Sequence, residues 1–172
     1  MTTKLLILVT CFMLAALNGF SQQFEVPVYA DPQTREDFVK SEKDIIAAAN
    51  WLEATPLGTD ESKRVLVNAW VLKWVINSPT VTISANEFVT NICKKNPDFL
   101  VVFMAAYTRS VLQNNYDTSM VNGYIAGVKG LVALYKLGGK VKKDQLMLAA
   151  VQASDEGKLE DWVKTNMNKT KK

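Results

Sequence analysis

The sequence predicts an all-α, single-domain fold: a bundle of about six to seven antiparallel helices, arranged compactly or as stacked helical hairpins. Three observations carry this. Apolar residues recur at 3.6-residue spacing through successive segments, helix-start signals precede several of them, and the connections between them are short, which favours antiparallel neighbours. Strand-like alternation is confined to Thr80-Val81-Thr82-Ile83, which suits an extended connection.

The first predicted helix spans Arg35 to Ala54, with Phe38, Ile45, Ala49 and Leu52 on one face and Pro56 closing it; Ser41-x-x-Asp44 is a second start signal that would split it. The next runs from Glu61 to Ile76 after a Thr59 cap, turns Val65, Leu66, Ala69, Leu72, Val75 and Ile76 toward the core, and ends at Pro79. Ser84-x-x-Glu87 forms a capping box for a short third helix. A fourth opens on Asn96 as cap, Pro97 at the first position and Asp98 in the first turn. Its body, Phe99 to Ala106, is almost wholly apolar, so it should be the most enclosed element, with Tyr107, Thr108 and Arg109 emerging toward water.

The fifth helix begins near an Asp117 cap and stops after Leu137 at Gly138-Gly139, where missing β-carbons permit a left-handed closing turn. Within it Gly123, Gly127 and Gly130 each cost about 1 kcal/mol of helix propensity relative to alanine. Gly123 and Gly127 share a face, where bare backbone lets another helix approach closely. A sixth helix, Lys143 to Ala153, carries Leu146, Met147, Ala149, Ala150 and Val151, and a short seventh from Lys158 to Lys164 tucks in Leu159, Trp162 and Val163.

Ahead of the helices, residues 1–21 read as a secretory signal. Lys4 supplies the positive end, Leu5 to Leu17 an apolar run broken only by Thr10, and Gly19 and Ser21 the small residues before a cleavage site at Gln22. The run is shorter than the ~20 residues of a membrane span, and Thr10 fits poorly before a lipid-bearing Cys11. Gln22 to Pro32 has two prolines and no helical period, so 22–33 is an extended or disordered lead-in, 34–166 the helical domain, and 167–172 a disordered basic tail. Removing 21 of 172 residues leaves 151, enough for one core. The formal charge of +3 falls to +2 with the loss of Lys4, and lysines and carboxylates intersperse, so no nucleic-acid footprint forms.

Absences exclude much chemistry. With no histidine, Ser-His-Asp and Cys-His catalysis and every His-containing zinc site are ruled out. Of the two cysteines only Cys93 survives processing, so no intramolecular disulfide or thiolate zinc cluster can form, and its apolar-periodic surroundings suit a buried, inert thiol. There is no Ser-x-x-Lys, no phosphate loop at Gly139-Lys140 and no calcium-loop spacing. No metal or cofactor is expected. Paired carboxylates are the remaining catalytic kit: Glu53, Asp60 and Glu61 at the first helix connection, and Asp155, Glu156, Glu160 and Asp161 near the end, although both groups suit helix termini and lysine pairing.

The most concentrated feature is Trp51 with Arg64, Trp70 and Trp74. Trp70 and Trp74 share a helix face at i, i+4, so these four are the candidate binding residues, with packing between the first two helices as the competing role. Together with Asn96-Pro97-Asp98-Phe99-Leu100, Met104-Ala105-Ala106-Tyr107-Thr108 and Gly157-Lys158-Leu159-Glu160, this constellation resembles a family of small exported all-helical proteins of Gram-negative bacteria to which no activity is assigned. The resemblance implies one helical domain and brings no functional residue with it. The expected function is that of a periplasmic or extracellular, non-catalytic binding protein, whose partner is a protein or an envelope component, without nucleic acid and without a transmembrane span in the mature chain. A carboxylate-dependent glycan hydrolase and a small-molecule carrier with a pocket between helices are the alternatives.

Overall fold

The structure, a computed structural model, describes residues 24–28 and 32–169. The expected signal at 1–21 therefore lies outside the described residues. Seven helices occur among the described residues: α1 (Arg35–Ala54), α2 (Glu61–Asn77), α3 (Glu87–Cys93), α4 (Phe99–Gln113), α5 (Met120–Leu137), α6 (Gln145–Asp155) and α7 (Leu159–Lys169). No strand occurs among the described residues; a single parallel bridge joins Leu57 to Gly139.

The centre is the antiparallel α4–α5 pair, the most extensive helix contact among the described residues. Its closeness comes from bare backbone. A β-carbon at Gly123 would fall on the Tyr107 ring, and one at Gly127 would meet Phe103 Cδ2 at 2.5 Å. At Gly130 it would meet Glu53 Oε1 at 2.6 Å and the Ala106 β-carbon at 2.8 Å. The glycines that weaken α5 as an isolated helix are thus the seats for α4 side chains. Around this pair α1 covers one flank, α3, α6 and α7 close the other, and α2 lies outermost against α1 and α4.

Local signals set the helix ends. Thr34 and Asp37 form a reciprocal capping box that starts α1. The helix is continuous through Ser41, whose hydroxyl donates to the Phe38 carbonyl and accepts from Trp74 Nε1 at 2.7 Å instead of restarting a helix. At α3 the cap is Asn86, which accepts from the Val89 N–H, rather than Ser84, whose carbonyl accepts from the Tyr124 hydroxyl. Asn96 does not cap α4 either. Its side-chain amide donates to the Lys142 carbonyl and accepts from the Lys142 N–H, tying the α3–α4 and α5–α6 connections together. Ser119 caps α5, while Asp117 accepts from the Ser119 N–H and the Asn122 side chain. At Gly139, φ is +81° and a β-carbon would strike the Leu57 carbonyl, so only glycine fits.

Three further expectations are corrected. Tyr107 and Thr108 are buried and Arg109 is half-buried, because α1 and α5 pack over the second half of α4 as far as Val111. The tail begins later than 167: α7 runs to Lys169, with Met167 extending the buried stripe of Leu159 and Val163 and its carbonyl accepting from Asn86. The third is the facing of α2. Val67, Val71, Trp74 and Val75 are buried, while Val65, Leu66 and Ile76 are 66, 62 and 73% exposed and Ala69 also faces solvent. The helix is apolar nearly all round, so periodicity chose no face. The true inner face is fixed by Trp74 bonding Ser41 and by Arg64, which a hydropathy argument turns outward but the fold turns in.

The α4–α5 contact makes a testable demand. Gly127→Leu, although a better helix former, should lower stability by roughly 1–3 kcal/mol through overpacking against Phe103, measured by thermal or denaturant unfolding. An unchanged midpoint would remove the close-packing account.

Candidate functional site

The four candidate binding residues lie along the antiparallel α1–α2 contact in two groups. In the first, Arg64 stands over the Trp51 ring at 5.4 Å, with Lys63 Nζ at 5.3 Å from the same centroid. In the second, Trp74 makes an edge contact with Phe38 and Trp70 lies against Phe24. Trp51, Arg64 and Trp74 are 5, 4 and 2% exposed, and only Trp70 is half-open to solvent. Their geometry is that of packing, which joins α2 to α1 and the lead-in to α2.

Arg64 is unusual within this packing. Its Nη2 donates to the Thr55 carbonyl at the α1 terminus, but Nε and Nη1 have no partner, and neither has Asn68 Oδ1 nearby on the same helix. Burial pulls its pKa down, and the charge of Asp98 partly opposes this. A buried guanidinium with one hydrogen bond out of five donors is a local expense of the fold.

The surface those residues leave open is the outer face of α2. Val65, Ala69, Leu72 and Ile76 line up along it, with Leu66 beside them; Leu72 is half-buried and the others exposed. Elsewhere the exposed large apolar residues are scattered one to an element. Open hollows lie among the described residues, and only the first of those that follow borders α2. One of about 300 Å³ lies beside Trp70, Lys73 and Asn77, one of about 350 Å³ borders Arg109, Asn122 and Lys129, and one of about 500 Å³ separates α6 from α7 beside Trp162.

All but one of the acidic candidates are engaged with cations. Glu61 bonds Lys140 at 2.7 Å, Glu156 bonds Lys158 at 2.8 Å and Glu160 bonds Lys129 at 2.9 Å, and these bonds hold each carboxyl below its ordinary pKa. Asp155 pairs with Lys136 and Asp161 with Lys164 at 3.9 Å. Asp60 is exposed at the left-handed start of α2. Glu53 makes a two-pronged ion pair with Arg109, at 2.8 and 2.9 Å, while Asn50 accepts a further bond from that guanidinium. Burial pushes the Glu53 carboxyl up, with Arg109 offsetting part of the rise. A general acid needs a raised pKa and an open approach; three of these carboxyls are lowered, and the raised one is locked to arginine. Among the described residues no group of three His, Cys, Asp or Glu could hold a metal ion.

Comparison with known proteins adds nothing to this geometry: no family model, no curated protein and no solved structure matches the chain. The outer face of α2 was missed in the sequence because the same residues were assigned to the core. The signal that could have found it is that α2 has more apolar residues than one buried face can hold.

Two measurements check the interior. Burial raises the Cys93 thiol pKa to about 12, so at pH 8 almost no thiolate exists; the peptide containing Cys93 should resist alkylation in the folded protein and react fully in denaturant. Arg64→Met removes two unpaired buried donors and one hydrogen bond, so the melting temperature should hold or rise. A loss above about 1.4 kcal/mol in unfolding free energy would show that the guanidinium is better satisfied than its contacts indicate.

Proposed function

We propose that the protein is an exported, non-catalytic interaction protein of the cell envelope that docks its partner on the outer face of α2. The observation that carries this reading is the row of Val65, Leu66, Ala69 and Ile76, standing in solvent on the side of α2 opposite Val67, Val71 and Trp74. An exposed apolar patch of a few hundred Å² on a folded domain is characteristic of a contact surface. Around it the charged residues make local pairs, which favours binding over bond-breaking. The tryptophans enter only as the framework that holds α2 in place. Export rests on residues 1–21, and among the described residues no helix is long and apolar enough to cross a membrane.

A photo-reactive residue at Leu66, compared with one at the exposed Gln113 at the end of α4, tests this in the producing cells. Irradiation should give a discrete adduct from position 66 and none from position 113. Absence of an adduct from position 66 would remove α2 as the docking surface.

A further inference from the structure

The groove between α6 and α7 is built from two regular rows of side chains. Ala149, Gln152, Ala153 and Glu156 share one face over two turns of α6, and Asp161, Trp162, Thr165, Asn166 and Lys169 follow along α7, so that a hollow of about 500 Å³ opens between them. The two alanines give the groove its depth on one side. On the other stands Trp162, half-buried, held by an edge contact with Phe88 at 5.8 Å and by the turn in which Asn166 Nδ2 donates to the Trp162 carbonyl at 2.8 Å. A fixed indole, partly open to water, is thus set beside hydrogen-bonding side chains. We propose that this groove binds an uncharged oligosaccharide, with one sugar ring lying on Trp162 and its hydroxyls bonded by the amide and hydroxyl groups along the rim. The site is separate from the docking face, because α6 and α7 pack on α5 whereas α2 packs on α1 and α4.

The lining selects this class of ligand. A docking helix needs a groove floored with large apolar side chains, and here two alanines and Trp162 are the apolar residues of the lining. A polyanion or polycation needs charge of one sign. Glu156 and Asp161 are balanced by Lys158 and Lys169, and Glu156 already bonds Lys158 at 2.8 Å, so the groove carries no net charge. A sugar matches what is present, because its ring offers C–H groups on a flat face and, around the edge, hydroxyls that both donate and accept. Gln152 spends its Nε2 on Glu156 Oε1 at 2.9 Å and Asn166 spends its Nδ2 on the Trp162 carbonyl, which orients both amides and leaves the oxygen of each to accept. The exposed Thr165 hydroxyl supplies a donor between them and the open end of α7. Side chains oriented before the ligand arrives lose less freedom on binding it.

Maltotriose, cellotriose and triacetylchitotriose, each titrated into isotope-labelled processed protein, test this by amide and indole NMR. At least one of them should shift the Trp162 indole N–H and the side-chain amides of Gln152 and Asn166 saturably, with a dissociation constant on the order of 1 mM as suits an open groove, while the Trp70 indole stays still. Ala149→Leu fills the groove without removing a hydrogen bond and should weaken binding at least about tenfold with the melting temperature little changed. Trp162→Phe keeps a ring against Phe88 but narrows the platform, and should weaken binding as well. A sulphated heparin tetrasaccharide should leave the same signals unmoved. No saturable shift with any of the three neutral sugars, binding undiminished by Ala149→Leu, or tighter binding of the heparin fragment each overturns the proposal. Because these signals lie on α6 and α7, their failure leaves the position-66 adduct as the test of α2, and absence of that adduct leaves the groove untouched.

Discussion

The fold depends on how closely α4 can approach α5. Two helices normally keep 8–10 Å between their axes because side chains stand between them. Here three glycines remove those side chains on one partner, and the rings of Tyr107 and Phe103 and the methyl of Ala106 occupy the vacated space. The propensity lost by α5 is recovered as dispersion contact over large aromatic faces. Tyr124 on α5 extends the arrangement by meeting Phe103 and Tyr107 edge-on at 5.4 and 6.4 Å while its hydroxyl donates to Ser84. The same side chain therefore couples the central pair to the connection that leads into α3.

That central pair decides what the remaining helices can do. Glu53 reaches from α1 to Gly130, and its pairing with Arg109 fixes α1 across α4. With α1 so placed, α2 can bury one face only, against α1 and α4, and no element among the described residues packs over its other side. The exposed row on α2 is thus a consequence of chain order: a helix apolar on both faces has been assigned to the periphery. In an ordinary surface helix the outward residues would be lysine and glutamate.

Much of this was legible in the residues. The bounds of α1, the enclosure of α4, the close packing at Gly123 and Gly127 and the stop at Gly138 follow from period, capping and glycine chemistry, all local. What failed was non-local. Asn96 looks like a cap, yet its amide is spent on Lys142, 46 positions away. Tyr107 and Arg109 look like the wet end of a helix until α1 is laid over them. Arg64 is the clearest instance, because hydropathy turns it outward, whereas the Thr55 carbonyl and the Trp51 ring hold it inside. Turning Val65, Leu66, Ala69 and Ile76 inward rotates α2 by about half a turn from the orientation the fold holds, while the packing role weighed for Trp51, Arg64 and Trp74 agrees with their burial.

Arg64 and the exposed row are therefore two sides of one fact. Were α2 rotated to bury Val65, Leu66, Ala69 and Ile76, the guanidinium would regain water and its unpaired donors would be satisfied, but Trp74 would lose Ser41 and both tryptophan groups would come apart. The fold holds the opposite orientation because two buried indoles and their neighbours outweigh one poorly satisfied cation: burying a large side chain contributes about 1.5–3 kcal/mol, and an unmade hydrogen bond costs about 1–3. The sum leaves a helix whose polar residue faces the core and whose aliphatic residues face water. Such an inversion leaves the apolar surface of Val65, Leu66 and Ile76 in water, where covering it would be favourable. The stability of the α1–α2 contact and the stickiness of the outer face are then set by the same rotation, and no single substitution on α2 can change the facing of one without the other.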